Sequence, residues 1–330
     1  MIRSIEIRNL RGIREGKLED LSSLVVLVGP NSSGKSTVLD ALHIGASSKP
    51  ATATGMAVKR RFGVRRGARW LLWQADENIS AEIVVKSDDR ERTIRIDVPP
   101  SEPEQAVVVR VSFSDVSSLD NQEGQRHVHV DVLNNYGQTG EPELTGFPDV
   151  QLVDCRDNSQ PLYRTYSRAV EQGRREEAHA LVRSLIPGVE EIEILAEGDT
   201  PTLYLNYSDH SVPVTLAGDG IQSLLRGALD IAIRPGSIVL LEEPDLFQHP
   251  GAICHTARAI WEAVRNNTQV IITTHSLDLI DALFSEAKTE EEISVVSVYR
   301  LLLQDGTLRS SRMAGDDILF SRVEIGNDLR

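Results

Sequence analysis

Residues 24–37 read LVVLVGPNSSGKST, five consecutive apolar residues followed by a loop of glycine, proline and serine. The loop fits the pattern G-x-x-x-x-G-K-[ST], with Gly29, Gly34, Lys35 and Ser36 at its fixed positions. The apolar run predicts a buried strand, and the amphipathic segment after the loop predicts a helix whose N-terminal end faces phosphate. The glycines let successive backbone N–H groups surround phosphate oxygens. This stretch therefore predicts a binding loop for a nucleoside triphosphate.

Each residue type in the loop has an expected task. Lys35 is expected to reach the β- and γ-phosphates, and the Ser36 hydroxyl is expected to bind Mg²⁺. The alternative is a chance turn rich in glycine and serine, which the strand before it and the helix after it disfavour. The predicted nucleotide-binding residues of the loop are Asn31, Ser32, Ser33, Gly34, Lys35, Ser36 and Thr37.

Composition indicates an ordinary globular protein. The chain has 330 residues, of which 40% are hydrophobic and 25% charged, and such a chain can bury a large core. Its two cysteines, Cys155 and Cys254, are far apart and lack metal-ligand spacing. No apolar run has the length of a signal peptide or a membrane span. We expect a cytoplasmic protein with no membrane partner.

Charge is distributed unevenly along the chain. The formal net charge of -14 argues against a surface that binds nucleic acid everywhere. Residues 58–69 are the exception, because they contain no acidic residue. This basic segment is a candidate contact for nucleic acid or for an acidic partner, and a solvated loop without a ligand is an equally good interpretation. Its candidate contact residues are Lys59, Arg60, Arg61, Arg65, Arg66 and Arg69.

Hydrophobic patterning divides the chain into three regions. Alternation predicts an antiparallel subdomain of strands at 79–85, 93–98, 106–113 and 127–133. A charge-rich helix at 161–185 and strands at 189–195 and 202–207 are predicted next. Helices at 221–233, 252–264 and 277–284 then alternate with buried strands at 238–241 and 270–274, before a hairpin at 295–303 and from 308. This alternation predicts a parallel sheet covered on both faces.

Two of the predicted strands end in groups that suit phosphate chemistry. Glu242 and Glu243 follow four apolar residues, and ligands of open parallel sheets bind at this end of a strand. Glu242 is expected to hold Mg²⁺, and Glu243 is expected to orient or deprotonate the attacking water. His275 follows the next buried strand and is expected to sense the γ-phosphate. For a single histidine or a single acidic pair, a structural or solvated role would be the usual interpretation.

A glycine turn opens the helix before the acidic strand. Residues 218–222 read GDGIQ, and a helix N-terminus there offers a second anion site. Because the sheet already has a phosphate loop, this turn is predicted to face the phosphate bound to a second copy. Its predicted contact residues are Gly218, Asp219, Gly220 and Gln222.

These elements, in this order, resemble the ABC-type ATPase heads of the RecF, SMC and OLD group, including stand-alone bacterial AAA_15/AAA_21-type ATPases. The opening IEIRNLRGI at 5–13 resembles the first strand and turn of that group, where a basic residue at the position of Arg11 lies near the nucleotide. GDGIQ resembles the signature sequence, EEPDLFQHP at 242–250 resembles the Walker B and D-loop stretch, and THS at 274–276 resembles the switch-histidine region.

The resemblance implies an α/β P-loop NTPase of ABC-ATPase type, with a mixed sheet, an antiparallel β subdomain and a short helical insertion. Its single domain would comprise lobes at 1–150 and 216–330 and an insertion at 151–215. It implies an ATPase using ATP and Mg²⁺, whose two copies form an ATP-dependent homodimer. The role it implies is a conformational switch in DNA maintenance or phage defence, with a separately encoded effector such as a nuclease and with DNA as a candidate partner.

Two departures from the family pattern keep a second function open. Glu242 stands where the family has aspartate, and Gly218 stands where the signature has serine. Long coiled-coil and C-terminal nuclease segments of some relatives are also not expected here. The alternative is a regulatory or scaffold protein that binds ATP with negligible turnover. A transporter subunit and a small-molecule kinase fit the second-half motifs less well.

Overall fold

The computed structural model describes residues 1–61, 67–99, 108–117, 124–131, 141, 143–154, 161–198, 200–232 and 234–318. The chain divides into two compact units. The first unit comprises Met1–Ser22, Val28–Val150 and Tyr299–Arg312, and the second comprises Ser23–Leu27, Gln151–Val298 and Met313–Arg330. The predicted lobes at 1–150 and 216–330, with the insertion at 151–215, stay a prediction.

The first unit is built on a mostly antiparallel sheet. Its strands are β1 (Ile2–Leu10), β2 (Ile13–Leu18), β4 (Ala81–Ser87), β5 (Arg90–Asp97), β6 (Val108–Ser117), β7 (Gly124–Asp131) and most of the hairpin β14 (Val296–Gln304) and β15 (Thr307–Ala314). They lie in the order β7-β6-β5-β4-β1-β2-β15-β14. Antiparallel pairing runs from β7 to β2, and β15 joins β2 in parallel. The predicted antiparallel subdomain is therefore confirmed.

Two helices follow the phosphate-loop segment in the first unit, α1 (Lys35–Ala46) and α2 (Pro50–Arg61). Helix α1 packs closely on β4, since a Cβ on Gly45 would lie 2.3 Å from a Val85 methyl carbon. No helix was predicted at 50–61, so α2, which includes the start of the basic segment, is a finding of the structure. Its N-terminal end is capped from far along the chain, because Glu141 accepts hydrogen bonds from the backbone of Ala51 at 2.7 Å and Thr52 at 3.1 Å.

The second unit contains a sheet whose middle strands are parallel. Its strands lie in the order β3-β13-β12-β8, and β3 (Leu24–Val28), β13 (Gln269–Thr273) and β12 (Ile238–Glu242) run parallel. The edge strand is β8 (Val150–Asp154), which was not predicted. All residues of the three parallel strands are buried, which explains their continuous apolar sequences.

Helices cover the second unit, and a small antiparallel sheet accompanies them. The helices are α3 (Leu162–Glu171), α4 (Arg175–Leu185), α5 (Asp219–Ala232), α6 (Pro250–Arg265), α7 (Leu277–Glu286) and α8 (Glu290–Ser294). The small sheet has the order β11-β10-β9, with β9 (Glu191–Glu197), β10 (Thr200–Asn206) and β11 (Ser211–Pro213). Apolar residues of α3, α4, α5, β9 and β10 share one core.

The predicted single helix at 161–185 is two helices in the structure. Helix α3 ends at Glu171, and Gly173 follows with φ 72°. A glycine in this left-handed conformation terminates helices without the steric cost that a Cβ would cause. Helix α4 then begins at Arg175. The charge-rich sequence pattern continues across the break at Gly173, which is why one helix was predicted where there are two.

Candidate nucleotide-binding site

The loop between β3 and α1 depends on two glycines with positive φ angles. Gly29 has φ 144° and Gly34 has φ 93°, values that residues with a Cβ rarely adopt. A Cβ on Gly29 would also lie 2.4 Å from the carbonyl oxygen of Leu301. The loop leads into the start of α1 at Lys35, where backbone N–H groups lack acceptors within the helix. This geometry suits an anion-binding loop.

The Lys35 side chain folds back over this loop. Its Nζ donates hydrogen bonds to the carbonyl oxygens of Gly29 at 2.8 Å and Pro30 at 3.0 Å, and only 6% of the residue is exposed. Phosphate oxygens carry more charge than carbonyl oxygens and bind an ammonium group more strongly. The hydroxyl oxygen of Ser33 is buried and has no hydrogen-bond partner among the described residues. Both side chains can therefore bind a phosphate at this loop.

The remaining predicted loop residues lie on the loop and the first turn of α1. Asn31 and Ser32 are exposed, and Gly34, Ser36 and Thr37 are half-buried. Exposed and half-buried polar groups at a helix start are open to a ligand. Their contact with a nucleotide stays a prediction.

Arg11 lies in the turn between β1 and β2 and binds a buried carboxylate on α1. Its guanidinium pairs with Asp40, which is only 1% exposed, and donates to the carbonyl oxygen of Ala57 on α2 at 2.8 Å. Asp40 also pairs with Arg60 of α2. One buried carboxylate thus connects the turn, α1 and α2. The Arg60 side chain is only 12% exposed, and its predicted contact with nucleic acid or a partner stays a prediction.

His43 lies one turn after Asp40 on the same helix and is buried. The pKa of His43 is lowered from the ordinary value of 6.5 to about 4, chiefly by burial; nearby Asp40 and Asp149 oppose this shift, and Arg60 acts in the same direction as burial. The Nδ1 atom of His43 has no hydrogen-bond partner among the described residues. The buried imidazole of this residue on the phosphate-loop helix is therefore neutral at neutral pH.

The basic segment 58–69 is only partly described. Lys59 is half-buried and Arg69 is exposed. The guanidinium of Arg69 lies 5.3 Å from the ring centroid of Trp70, which is 46% exposed. The Arg61 side chain and residues Arg65 and Arg66 lie outside the described part of the chain. Their role as nucleic-acid or partner contacts stays a prediction.

In the second unit, β12 delivers the two adjacent carboxylates. Glu242 is fully buried at the end of the strand, and Glu243 takes φ 48°, a left-handed conformation that is uncommon outside glycine. The Glu243 backbone N–H donates to the carbonyl oxygen of Thr273 at 3.1 Å and to its hydroxyl at 3.2 Å. The Glu243 side chain then lies with Oε1 3.8 Å from Nε2 of His275. The predicted base and the predicted sensor are thus neighbours.

The loop after β13 is connected to the turn after β12. The Thr274 hydroxyl donates to Oδ1 of Asp245 at 2.8 Å and accepts from the backbone N–H of Ser276 at 2.9 Å. Ser276 caps α7 by accepting from the Leu279 N–H. Burial raises the pKa of Asp245, an effect that the hydrogen bond from Thr274 opposes. No sequence pattern predicted a role for Thr274 or Asp245.

The glycine turn before α5 has two different sides. Gly218 is exposed, and no described atom lies within 4 Å of the position that its Cβ would take. Gly220 is crowded, because its Cβ would lie 2.8 Å from the carbonyl oxygen of Phe247. Asp219 is exposed at the helix start, and Gln222 closes the turn by donating from Nε2 to the carbonyl oxygen of Ala217 at 2.9 Å. The turn has one face against its own unit and one open face.

Two classes of feature are absent from the described residues. Among the described helices, none is long and apolar enough to cross a membrane. Within the described ranges, no three His, Cys, Asp or Glu side chains cluster as metal ligands. Magnesium held by hydroxyl, phosphate and water ligands does not require such a cluster.

Asp40, Thr274 and Asp245 are the structurally important polar residues that sequence reasoning missed. Asp40 lies among the buried residues of α1, and a carboxylate at an otherwise buried helix position signals a charged partner. Asp245 follows Glu243-Pro244 inside a motif that the sequence analysis quoted. No local pattern identifies Thr274 as its donor, because the two residues are 29 positions apart.

Two family models match the chain in succession. Residues 1–99 match AAA_15, described as an AAA ATPase domain. Residues 141–281 match AAA_21, described as an AAA domain, putative AbiEii toxin, Type IV TA system. The two matches correspond to the phosphate-loop half and to the half with the acidic strand and the histidine.

Two proteins of Methanocaldococcus jannaschii are similar in sequence. The uncharacterized protein MJECL11 is 35% identical over 115 residues, which are 34% of this chain and 98% of that protein. The uncharacterized protein MJECL10 is 35% identical over 79 residues, which are 24% of this chain and 34% of that protein. The match therefore spans about a third of MJECL10.

Solved SMC head domains share the fold. The head bound to the C-winged helix domain of ScpA has a TM-score of 0.56 and 14% identity, with 95% of this chain and 98% of that chain covered. A head with an extended coiled coil, bound to the C-terminal domain of ScpA derived from Pyrococcus furiosus, has a TM-score of 0.54 and 13% identity over 99% of both chains. The predicted α/β P-loop fold of ABC type is confirmed. Two ATPase family models match the chain in order, over residues 1–99 and 141–281, and support an ATPase of the AAA_15/AAA_21 type, while the likeness to SMC heads shows its fold.

Proposed function

We propose that this chain binds Mg-ATP and hydrolyses it to ADP and phosphate. The observation that carries the proposal is the register of the parallel strands, which end side by side at Leu27, Thr273 and Glu242. The phosphate loop follows β3 directly in the chain, and the glutamate and histidine follow the other two strands. Ligands of open parallel sheets bind at the carboxyl ends of strands.

The side chains divide the work of hydrolysis between them. Lys35 and the loop N–H groups bind the β- and γ-phosphates, which positions the terminal phosphorus for attack. The Glu243 carboxylate orients the attacking water and accepts its proton. His275, with Nε2 3.8 Å from Oε1 of Glu243, donates to a terminal phosphate oxygen and so distinguishes ATP from ADP.

The chain also offers the donors that magnesium prefers. The Ser36 hydroxyl lies on the first turn of α1, and the Glu242 carboxylate is buried at the end of β12. Hydroxyl and carboxylate oxygens are hard ligands that suit Mg²⁺, and Glu242 would hold the ion through water. The bound ion neutralises charge on the phosphates. The residues therefore fit this cofactor.

We infer that two copies form an ATP-dependent dimer in which the turn 218–222 of one copy contacts the nucleotide of the other. The open side of Gly218 supports this inference, because an exposed glycine at a helix start can approach a phosphate with its backbone. Leu216 and Phe247 flank this region and are 77% and 61% exposed, which suits a surface that a second chain covers.

The dimer would drive a separately encoded effector, such as a nuclease, in DNA maintenance or phage defence in the cytoplasm. Two findings favour a protein partner: the similar SMC heads are bound to domains of ScpA, and the AAA_21 description names a putative toxin of a toxin–antitoxin system. DNA is the second candidate partner, through the exposed Arg69 and Trp70 of the basic segment.

The second candidate function is an ATP-dependent regulator with negligible turnover. Gly218 supplies no hydroxyl to a neighbouring phosphate, and Glu242 is longer than the aspartate of the family pattern. Both departures weaken catalysis without preventing ATP binding, because the phosphate loop is complete. The two functions differ in hydrolysis and share ATP binding.

The test compares wild type with Lys35→Ala for ATP binding and for Mg²⁺-dependent phosphate release. We expect the wild type to bind and hydrolyse ATP, and the variant to lose both because the ammonium contact to the phosphates is removed. Circular dichroism of both proteins checks that the fold is retained. Binding without hydrolysis by the wild type would favour the regulator, and equal phosphate release by both proteins would contradict the proposed site.

A further inference from the structure

We propose that Asp245 is a positioning residue, which acts through the Thr274 hydroxyl to connect the histidine loop with the glycine turn at 218–222. The inference rests on the proposed ATP hydrolysis and adds a mechanical connection within one copy. Every contact that carries it lies inside the second unit. Neither residue is assigned a contact with the nucleotide.

The first part of the connection is the Thr274 hydroxyl. It has one proton to donate, and it donates this proton to Oδ1 of Asp245 at 2.8 Å. The same oxygen accepts the backbone N–H of Ser276 at 2.9 Å. The two bonds hold the residues on either side of His275, and Thr274 is fully buried. The backbone that carries His275 is thereby fixed to Asp245.

The second part is the tight turn that contains Asp245. The Leu246 N–H donates to the carbonyl oxygen of Glu243 at 3.1 Å, and the Gln248 N–H donates to that of Asp245 at 3.2 Å. Glu243 and Phe247 lie at the two ends of the turn, and both have positive φ angles, 48° for Glu243 and 65° for Phe247. Such conformations are costly for residues other than glycine and persist only when surrounding contacts impose them.

The third part is the contact between this turn and the start of α5. The Phe247 carbonyl oxygen lies so close to Gly220 that a Cβ there would be 2.8 Å away. Because the start of α5 packs closely against this carbonyl, we expect a shift of the turn to displace the 218–222 segment. Thr274, Asp245 and Phe247 therefore join two parts of the proposed site. One is the loop of His275, which is proposed to contact the γ-phosphate, and the other is the turn at 218–222, which is proposed to face a second copy.

Loss of the Thr274–Asp245 bond has a specific expected consequence. An apolar residue at either position leaves the other buried polar group without its partner. The turn is then free to relax its strained backbone, and Glu243 and His275 lose their relative position. Because the phosphate loop lies on a different segment, the affinity for ATP is expected to stay near that of the wild type.

The experiment measures kcat and KM for ATP in Thr274→Val, Asp245→Ala and Asp245→Asn. Valine removes the hydroxyl at nearly constant volume, alanine removes the acceptor, and asparagine keeps an acceptor oxygen. We expect the first two to lower kcat about tenfold or more with little change in KM, since small misplacements of reacting groups have effects of this size. Asparagine should restore most of the activity.

A matched control addresses general damage to the fold. Thr268 is a buried threonine of the second unit, and its hydroxyl donates to the Arg234 carbonyl oxygen at 3.2 Å. Thr268→Val loses the same kind of bond and should keep the wild-type kcat. Equal losses of kcat in Thr268→Val and Thr274→Val, or no loss in Thr274→Val and Asp245→Ala, would overturn the inference.

Amide hydrogen exchange separates this inference from the proposed function. If Thr274→Val speeds exchange at residues 219–222 relative to the wild type and to Thr268→Val, the connection stands whether or not the protein hydrolyses ATP. If exchange there is unchanged, the connection is wrong even when wild-type hydrolysis is normal. Absence of wild-type hydrolysis would remove the proposed catalysis alone.

Discussion

The phosphate loop and the turn at 218–222 are both glycine-containing turns that open a helix, yet their surroundings differ. Gly29 is crowded by the Leu301 carbonyl oxygen, and Lys35 is 6% exposed and bound to carbonyl oxygens of its own loop. Gly218 has no described atom within 4 Å of its Cβ position, and neighbouring Leu216 is 77% exposed. The first turn is shaped by its own unit, whereas the second presents an open side that fits a partner supplied from outside.

The largest expected effect is at the crowded glycine. Gly29→Ala introduces a Cβ at φ 144° and within 2.4 Å of the Leu301 carbonyl oxygen. Backbone strain and overpacking together should lower the free energy of unfolding by about 4 kcal/mol, and ATP binding should be lost. Urea unfolding and ATP titration measure both effects.

Gly173→Ala is the control for strain without crowding. Gly173 also has a positive φ, of 72°, but no atom of the described residues lies within 4 Å of its Cβ position. Its substitution should cost about 1 kcal/mol. If the two variants were equally stable, the packing around Gly29 would not be what shapes the loop.

The next effect concerns the burial of α1. The pKa of His43 is about 4 in the folded protein and 6.5 when unfolded. Between these values the unfolded chain binds a proton that the folded chain does not, so stability is lost as pH falls below 6.5. The expected loss from this group between pH 7 and pH 5 is about 2 kcal/mol.

His43→Gln removes the titrating group and should flatten this part of the stability profile. Urea unfolding at pH 7 and pH 5 gives the free energy of unfolding of both proteins. The pH-dependent difference between them separates the contribution of His43 from that of the carboxylates. Parallel profiles for wild type and variant would show that His43 is accessible to protons in the folded state, which would contradict a tightly packed loop helix.

The smallest effect on stability is expected at the open glycine. Gly218→Ala should change the free energy of unfolding by less than about 0.5 kcal/mol, because the added methyl group meets no atom within the part of the chain that the structure describes. If a second copy brings its phosphate to this backbone, the same change should weaken ATP-dependent association. Analytical ultracentrifugation with ATP tests this, and unchanged association would place the dimer contact elsewhere.

The sequence predicts those parts of the molecule that depend on local patterns, and it misses those that depend on contacts between distant segments. The phosphate loop and the three buried parallel strands are local patterns, and each was located to within a few residues. Helix α2 was missed because its stabilising cap comes from Glu141, 90 positions away from Ala51. The connections of Asp40 to two arginines and of Thr274 to Asp245 also depend on segments that meet only after folding.

The central claim is hydrolysis of ATP with Glu243 as the base, and Glu243→Gln tests it most directly. Phosphate release and solution mass should be measured together, with Mg-ATP, for the wild type and the variant. We expect the wild type to turn over and the variant to release phosphate about 100-fold more slowly while accumulating as an ATP-dependent dimer. The account would be contradicted if neither protein released phosphate and if the solution mass of both were the same with and without ATP.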